Sequence, residues 1–361
     1  MPQNLRAVIV YMSLLFVVSC GGGGGGGENP PPSNGVLNPG LEGRILFRED
    51  GLLYSMDTET GLFSTVPNTN WKQQTDRFQF PAVTDFSASP IPYDTTEFLG
   101  IGEEVDTSYI FMQDYQGNVL GQFALDGSVL SGSMSQDHQY VALFRQPGSV
   151  SSTPWFSLYT RDGRFLEDRQ LGKRQLLWLR DNRILYSSGR SFYFTHPVST
   201  QADYSLTLPD PSGGVVTAGV IGDKTISPDE SQIVFTVAES GGDLINGAQN
   251  SRLYIMNMDG TGLRLLATTY NDEEPSIIQP TWSPDGRWIL VKEDYKPVGL
   301  DANSLGYRYV IPSDQPGKVF YLSPDGSERS PEVIKFRHYS WENSGITSRG
   351  SPNVFIWIPD Y

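Results

Sequence analysis

Short runs of β-branched and aromatic residues, separated by Gly, Pro, Asp and Asn, fill the chain from Arg44 to the C-terminus. The 3.6-residue spacing of apolar positions that marks an amphipathic helix is almost absent from this region. Runs of this kind, bounded by turn-forming residues, are typical of β-strands. The pattern therefore predicts a single all-β domain over residues 44–361.

The strands repeat as a four-stranded unit. A strand that we call B recurs at 45–48, 97–100, 140–144, 184–186, 233–235 and 288–291. An aromatic-led strand C follows at 54–57, 109–112, 156–159, 192–194, 254–257 and 320–322, each before a turn and a strand D. A short strand A precedes most B strands, at 86–90, 134–137, 178–181, 225–229 and 281–286. Successive B strands lie about 42 to 56 residues apart, a spacing typical of a β-propeller.

The connections between these strands carry turn signals. Asp-Gly pairs at 162–163, 259–260 and 325–326 favour type I′ hairpin turns between strands C and D, because such turns need positive φ at both central residues. The A–B turns contain Ser227-Pro228-Asp229 and Ser283-Pro284-Asp285-Gly286. Pro presets one φ and Asp can accept hydrogen bonds from its own backbone, so we interpret these residues as structural rather than catalytic.

The stretch from Leu253 to Leu290 resembles the WD40-like repeat of the TolB propeller family, most clearly in Thr281-Trp282-Ser283-Pro284-Asp285-Gly286. The resemblance is clearest over 225–294, is weaker but periodic over about 44–341, and does not include residues 1–43. It implies a propeller fold in which Ser-Pro-Asp-Gly forms the A–B turn. No separate N-terminal domain like that of TolB is evident in this sequence, so a TolB-specific role is not carried over.

Counting the strands predicts six blades, with seven as the alternative. A sixth A-type run, His338-Tyr339-Ser340-Trp341, is expected to close the first blade by pairing with N-terminal strands in 45–66. A further run, Val354–Ile358, has no unassigned partner strands, and we expect it either to join the closing blade or to cover an edge.

The N-terminus resembles that of a bacterial lipoprotein. Residues 1–19 have a charged start and a short apolar segment, which suits a signal peptide better than a membrane-spanning helix. Val17-Val18-Ser19-Cys20 resembles a lipobox, which implies that Cys20 carries thioether-linked and acyl lipid and becomes the first mature residue. The heptaglycine Gly21–Gly27 and the prolines after it predict a flexible tether over residues 20–43. Gly21 favours sorting to the outer membrane.

Charge and composition exclude several classes of function. The chain has 26 Lys and Arg against 41 Asp and Glu, a net charge of −15, which makes a nucleic-acid surface improbable. Its single cysteine excludes an intrachain disulfide and a cysteine-based zinc site. Three histidines, His138, His196 and His338, lie in different predicted blades. We therefore expect no zinc site, no other metal and no cofactor, with a Ca²⁺ site among the carboxylates named below left open as the alternative.

Catalytic motifs are scarce. No complete G-x-S-x-G elbow and no H-E-x-x-H motif is present. Carboxylates such as Glu103, Glu104 and Asp106, or Glu293 and Asp294, leave open a carbohydrate- or peptide-cleaving enzyme with an active site in the channel mouth. Neighbouring residues on a strand point to opposite faces, so this signal is weak.

The longest predicted connections are 67–80, 209–221, 239–250 and 295–317, and all belong to one face of a propeller. Aromatic residues on that face, Trp71, Tyr295, Tyr307 and Tyr309, are the candidate contacts for a partner. The leading hypothesis is a non-catalytic interaction module, tethered to the cell envelope by lipid and bound to an envelope protein. The alternative is the carboxylate enzyme.

Overall fold

A computed structural model of the chain describes the residues that carry the repeat, and these residues belong to one compact unit, Gly35–Tyr361. The described residues are 40–49, 52–58, 63–66, 87–90, 97–104, 107–114, 118–145, 155–169, 176–197, 199, 203–210, 214, 219–239, 251–268, 276–295, 305–316, 320–322 and 355–359. The predicted signal peptide, Cys20, most of the predicted tether and Trp71 lie outside them.

The described residues form 24 strands. In chain order they are β1 (Arg44–Glu49), β2 (Leu52–Asp57), β3 (Phe63–Thr65), β4 (Ser87–Pro90), β5 (Glu97–Glu104), β6 (Thr107–Asp114), β7 (Val119–Asp126), β8 (Val129–Met134), β9 (Tyr140–Arg145), β10 (Trp155–Thr160), β11 (Phe165–Arg169), β12 (Leu176–Trp178), β13 (Ile184–Ser188), β14 (Ser191–Thr195), β15 (Tyr204–Thr207), β16 (Gly219–Ile226), β17 (Gln232–Glu239), β18 (Ser251–Asn257), β19 (Arg264–Thr268), β20 (Ser276–Trp282), β21 (Trp288–Tyr295), β22 (Leu305–Pro312), β23 (Phe320–Leu322) and β24 (Phe355–Ile358).

The strands assemble into antiparallel four-stranded sheets, and we number the sheets in chain order. The strand orders are β24-β1-β2-β3, β4-β5-β6-β7, β8-β9-β10-β11, β12-β13-β14-β15, β16-β17-β18-β19 and β20-β21-β22-β23. Buried apolar clusters lie between sheets 2 and 3, 3 and 4, 4 and 5, 5 and 6, and 6 and 1. The protein is therefore an all-β propeller, as predicted. Six sheets occur in the described part of the chain, and a total of six blades stays a prediction.

The strand that closes sheet 1 is β24, so the run Val354–Ile358 joins the closing blade, which was one of its two predicted roles. β24 pairs with β1 through Arg44↔Ile358 and Phe47↔Phe355, and β2 pairs with the other edge of β1. The prediction that 338–341 pairs there was wrong, and those residues lie outside the described part. The physical reason is burial: Trp357 and Ile358 are almost fully enclosed, whereas the run His338–Trp341 is half polar.

Sheet 6 also differs from the prediction. Phe320–Leu322 was expected as strand C, but it is the outer strand β23, and β22 takes the third position. β22 pairs with β21 over eight residues without a break and buries Val310 and Ile311. The predicted connection 295–317 therefore contains β22, and the connection between β21 and β22 is 296–304. Similarly, β16 begins at Gly219, inside the predicted connection 209–221.

The two Asp-Gly turns that the structure describes, 162–163 and 259–260, do not adopt the predicted type I′ conformation. Gly163 and Gly260 have φ of +87°, but among the described non-glycine residues positive φ occurs at His138, Asn182 and Glu230 and not at the two aspartates. Gly163 N–H donates to the carbonyl of Thr160 at 2.9 Å, and the pairing of β10 with β11 shifts register beside this turn. One left-handed glycine with a bulge makes a longer hairpin turn, which needs no positive φ at Asp.

Candidate functional site

The propeller has two ends with different connections. At one end, which we call the turn end, strands A and B and strands C and D are joined; at the other, the loop end, strands B and C and strands D and A are joined. Connections at the turn end are short where they are described. The connections of nine or more residues all join strands at the loop end: 66–86, 146–154, 208–218, 240–250, 296–304 and 323–354.

The A–B turns of sheets 3, 5 and 6 share one hydrogen-bonded structure. In sheet 5, Ser227 Oγ donates to Asp229 Oδ1 at 2.6 Å, and the same oxygen accepts the backbone N–H of Ser231 at 3.0 Å. Ser227 Oγ in turn accepts the backbone N–H of Gln232 at 2.9 Å. The same three bonds recur in Ser135–Tyr140 of sheet 3 and Ser283–Trp288 of sheet 6. Pro228, Pro284 and Gly286 lie in these turns. The polar groups are thus used to hold the turn.

In the turns of sheets 5 and 6 these bonds lower the pKa of the aspartate. Hydrogen bonds from Ser227 Oγ and from Ser231 hold the pKa of Asp229 below its ordinary value. Burial acts to raise the pKa of Asp285, but hydrogen bonds from Ser283 and Arg287 outweigh it and leave this pKa lowered. A carboxyl that is held as an acceptor for its own turn is a poor proton donor.

The fourth residue of each turn lies in the left-handed region. φ is +58° at His138, +63° at Asn182, +58° at Glu230 and +71° at Gly286. This conformation is rare for a bulky side chain. In this conformation Asn182 Nδ2 donates to Asp137 Oδ2, 2.8 Å away in the preceding sheet. The left-handed residue of this turn therefore takes part in a contact between two blades.

Such contacts continue along the turn end. Glu230 accepts the backbone N–H of Arg180 at 2.6 Å, joining sheets 4 and 5. Arg287 Nη2 contacts Glu42 Oε1 at 2.9 Å, joining sheet 6 to the segment before β1. Arg264 Nη2 of sheet 5 donates to the Ser313 carbonyl of sheet 6 at 2.8 Å. Together these contacts make the turn end a structural seam from sheet 3 to sheet 1.

The seam reaches sheet 2 through a buried charge. Glu97, at the start of β5, is 1% exposed. Arg161 of sheet 3 donates to both its oxygens, at 2.6 and 2.8 Å, and His138 Nδ1 contacts its Oε1. Burial lowers the pKa of Arg161. This fork of two hydrogen bonds satisfies a carboxylate that would otherwise be costly to bury.

Three of the four candidate partner contacts lie in described strands of sheet 6. Tyr295 is the last residue of β21, and Tyr307 and Tyr309 lie within β22 rather than in a loop. Pairing places Tyr295 opposite Leu305, Tyr307 opposite Glu293 and Tyr309 opposite Val291. These three tyrosines share the loop-end half of one hairpin, and whether Trp71 joins them stays a prediction.

The carboxylates of the alternative enzyme hypothesis lie in two sheets. Glu103 and Glu104 end β5 in sheet 2, and Glu293 and Asp294 lie near the end of β21 in sheet 6. Asp106 lies outside the described residues. The two sets are alternatives, and whether either one forms a catalytic pair stays a hypothesis.

Comparison with solved structures gives matches of low sequence identity. TolB from Acinetobacter baumannii aligns with a TM-score of 0.48 and 16% identity, covering 77% of this chain and 65% of that one. Hydrazine synthase from Kuenenia stuttgartiensis gives 0.44 and 13%, covering 66% and 68%. The β-propeller domain of the trilobed protease from Pyrococcus furiosus gives 0.39 and 13%, covering 64% and 70%. No family model and no curated protein matches the sequence.

The histidines also have separate surroundings. His196 Nδ1 contacts Asp203 Oδ2 at 2.7 Å in the connection between β14 and β15, His138 contacts Glu97, and His338 lies outside the described residues. Among the side chains that the structure describes, no three of the types His, Cys, Asp and Glu are placed to share a metal ion. The same part of the chain contains no helix long and apolar enough to cross a bilayer.

Sequence reasoning missed the residues that join the blades. Glu97 and Arg161 are 64 positions apart, and no local spacing connects them. Glu230 looks like an ordinary surface residue in the sequence. The place of Glu230 in the repeat is the signal that could have found it. Glu230 aligns with His138, Asn182 and Gly286, and the turn needs a left-handed residue at this position.

Proposed function

We propose that this protein is a lipoprotein of the bacterial cell envelope, held at the outer membrane by lipid on Cys20. Its propeller, facing the periplasm or the cell surface, binds a protein partner through the loop end and catalyses no reaction. The proposed partner is another envelope protein.

The asymmetry of the two ends carries this proposal. Turn-end side chains such as Asp229, Glu97 and Arg161 are engaged within turns or between blades. The long connections, by contrast, join strands at the loop end. Long connections on a rigid scaffold are where recognition residues concentrate. Binding at the loop end therefore leaves the seam intact.

The tether supports the location. The lipobox-like Val17–Cys20 is followed by seven glycines, and a glycine run gives reach because it has no side chain to bury. Several acyl chains on one cysteine exceed the marginal anchoring of a single chain. At a net charge of −15, attraction to anionic lipid cannot supply that anchor.

The carboxylates that are described support a non-catalytic role. A general acid at neutral pH needs a raised pKa, whereas the pKa values of Asp229 and Asp285 are lowered. Burial raises the pKa of Glu230, but this carboxylate accepts the Arg180 N–H and joins two sheets. We therefore interpret Glu230 as a structural residue that joins sheets 4 and 5.

The test replaces residues 296–304 with a Gly-Ser segment of equal length, which spares β21 and β22. Crosslinked pull-down from cell envelopes should then lose a partner that the unaltered protein captures. Arg164→Ser, an exposed change at the turn end, is the matched control and should retain capture. Equal capture by the loop variant with its fold intact would refute binding at this connection.

The anchor is tested separately by Cys20→Ser. We expect the variant to move from the membrane fraction to the soluble fraction of lysed cells. Retention in the membrane fraction after a high-salt wash would contradict lipid anchoring, whatever the outcome for partner capture.

A further inference from the structure

The segment just before β1 is fastened to sheet 6 at the turn end. Arg287, in the A–B turn of sheet 6, donates from Nη2 to the Gly40 carbonyl at 3.2 Å and to Glu42 Oε1 at 2.9 Å. Trp357 of β24 donates its indole N–H to the Glu42 carbonyl at 2.8 Å. Residues 40–42 therefore lie against the turn end.

Burial and close packing hold the same segment in place. Leu41 is 2% exposed and belongs to the apolar cluster between sheets 6 and 1. The Gly43 carbonyl accepts two hydrogen bonds from Thr58, one from the backbone N–H at 3.1 Å and one from the hydroxyl at 2.6 Å. A Cβ at Gly43 would collide with the Ile358 carbonyl oxygen. Any tether that leads to Cys20 thus leaves the folded body beside Gly40, at the turn end.

The loop end lies a full strand length from this point. β1 begins next to the segment, at the turn end, and runs to the loop end. Eight-residue strands such as β5 and β16 span about 26 Å. β2 and β3 lie between β1 and the outer edge of sheet 1, and each strand adds about 4.8 Å. A chain that passed from Gly40 around sheet 1 to the loop end would therefore cover roughly 36 Å.

The length of the predicted tether sets its reach. Twenty residues lead from Cys20 to Gly40, and seven of them are consecutive glycines. A chain of this length spans at most about 70 Å, whereas a glycine-rich chain has a root-mean-square extension of about 25 Å. Placing the loop end against the membrane therefore needs more than the root-mean-square extension, whereas placing the turn end there needs none.

We propose that the propeller is held with its turn end toward the membrane and its loop end away from it. The inference rests on the proposed lipid at Cys20 and on binding at the loop end. It specifies the kind of partner: an envelope protein whose docking surface stands about 26 Å or more from the bilayer that holds the lipid. The bilayer itself and proteins flush with it do not meet that condition. Because the turn-end side chains are engaged in the seam, nearness to lipid there obstructs no binding.

Energy transfer from a dye on the protein to acceptor lipids tests this orientation. The full chain, purified from membranes in detergent, is added to preformed vesicles of a neutral phospholipid that contain the acceptor. Arg164→Cys places the dye at the turn end and Ser188→Cys places it at the loop end, and both positions are exposed. The lipidated Cys20 does not react with the dye. Transfer from Arg164→Cys should be at least twofold more efficient, because that dye is nearer the membrane.

Changing the tether length provides the matched control. Deletion of residues 22–27 keeps Gly21 and leaves 14 residues before Gly40, with a root-mean-square extension of about 20 Å. The shorter chain should raise transfer from the turn-end dye and increase the ratio between the two dyes. Insertion of six further glycines should lower that ratio. A ratio that is the same at all three tether lengths would contradict the proposed orientation.

Flotation of the vesicles separates this inference from the proposed anchor. A chain that does not float with the vesicles lacks the lipid, which overturns the anchor and the orientation together. If the chains float but the two dyes transfer equally, or Ser188→Cys transfers more, the orientation alone is overturned and the anchor stands.

Discussion

Glu97 joins sheets 2 and 3 as a single buried carboxylate held by a forked pair of hydrogen bonds from Arg161. Glu97→Gln keeps the shape but leaves the Arg161 charge without its partner. Removing one member of a buried pair costs up to about 3–5 kcal/mol. Because Arg161 is partly exposed, we expect a loss of about 2 to 3 kcal/mol in the free energy of unfolding, measured by urea denaturation.

Arg164→Ser provides the reference for that measurement, since Arg164 is an exposed residue of the same connection and such changes usually fall within about 0.5 kcal/mol. A loss from Glu97→Gln no larger than the Arg164→Ser value would mean that the pair contributes nothing to the contact between the blades.

The carboxyl group of Asp229 makes the stability of the folded protein depend on pH. Its pKa is lower in the folded protein than in the unfolded chain, so the unfolded state binds more protons in acid. The stabilisation is present above the unfolded value of about 3.9 and is lost as the pH falls through the lower folded value. We expect Asp229→Asn to flatten the loss of stability below about pH 4, measured by urea unfolding across pH.

Asp314→Asn is the matched change, at an exposed aspartate, and should leave the slope as it is. A slope in Asp229→Asn equal to that of the unaltered protein would show that the turn hydrogen bonds do not depend on the carboxylate charge.

At the scale of strands, burial explains which elements the sequence predicts. Strand B is enclosed on both faces, as at Ile233, Val234 and Phe235, so it appears as an unbroken apolar run. β22 mixes Gly306 and Arg308 with tyrosines and therefore lacks that pattern. The short run Phe320–Leu322 has the sequence pattern of a strand C because it begins with an aromatic residue. In the structure it is the outer strand of sheet 6.

The seam was not predictable for a related reason. Its contacts join turns of different blades, such as Asp137 with Asn182 and Arg180 with Glu230, and each pair is about one repeat apart in sequence. Local spacing finds the turn and its Ser-x-Asp bonds, because these close within five residues. It cannot find the partner of a turn, since that depends on how neighbouring sheets are stacked.

For the whole molecule, β24 brings the C-terminal region into the same sheet as β1. Trp357 packs against Leu41 and Ile45 of sheet 1 and Trp288, Leu290 and Val310 of sheet 6. Its indole N–H donates to the Glu42 carbonyl at 2.8 Å. One side chain thus joins the last strand, the first strand and the last internal blade.

This arrangement predicts that closure depends on Trp357 more than on other buried tryptophans. Trp357→Ala should cost about 3–5 kcal/mol and should speed amide hydrogen exchange in β1, because β1 then loses its partner on one edge. Trp178→Ala removes an equally large, buried side chain in sheet 4 and should speed exchange there while β1 stays protected. A strand that has lost its partner on one edge exchanges its amide hydrogens through local opening rather than global unfolding. If β1 stays protected from exchange in Trp357→Ala, contacts other than those of β24 close the propeller.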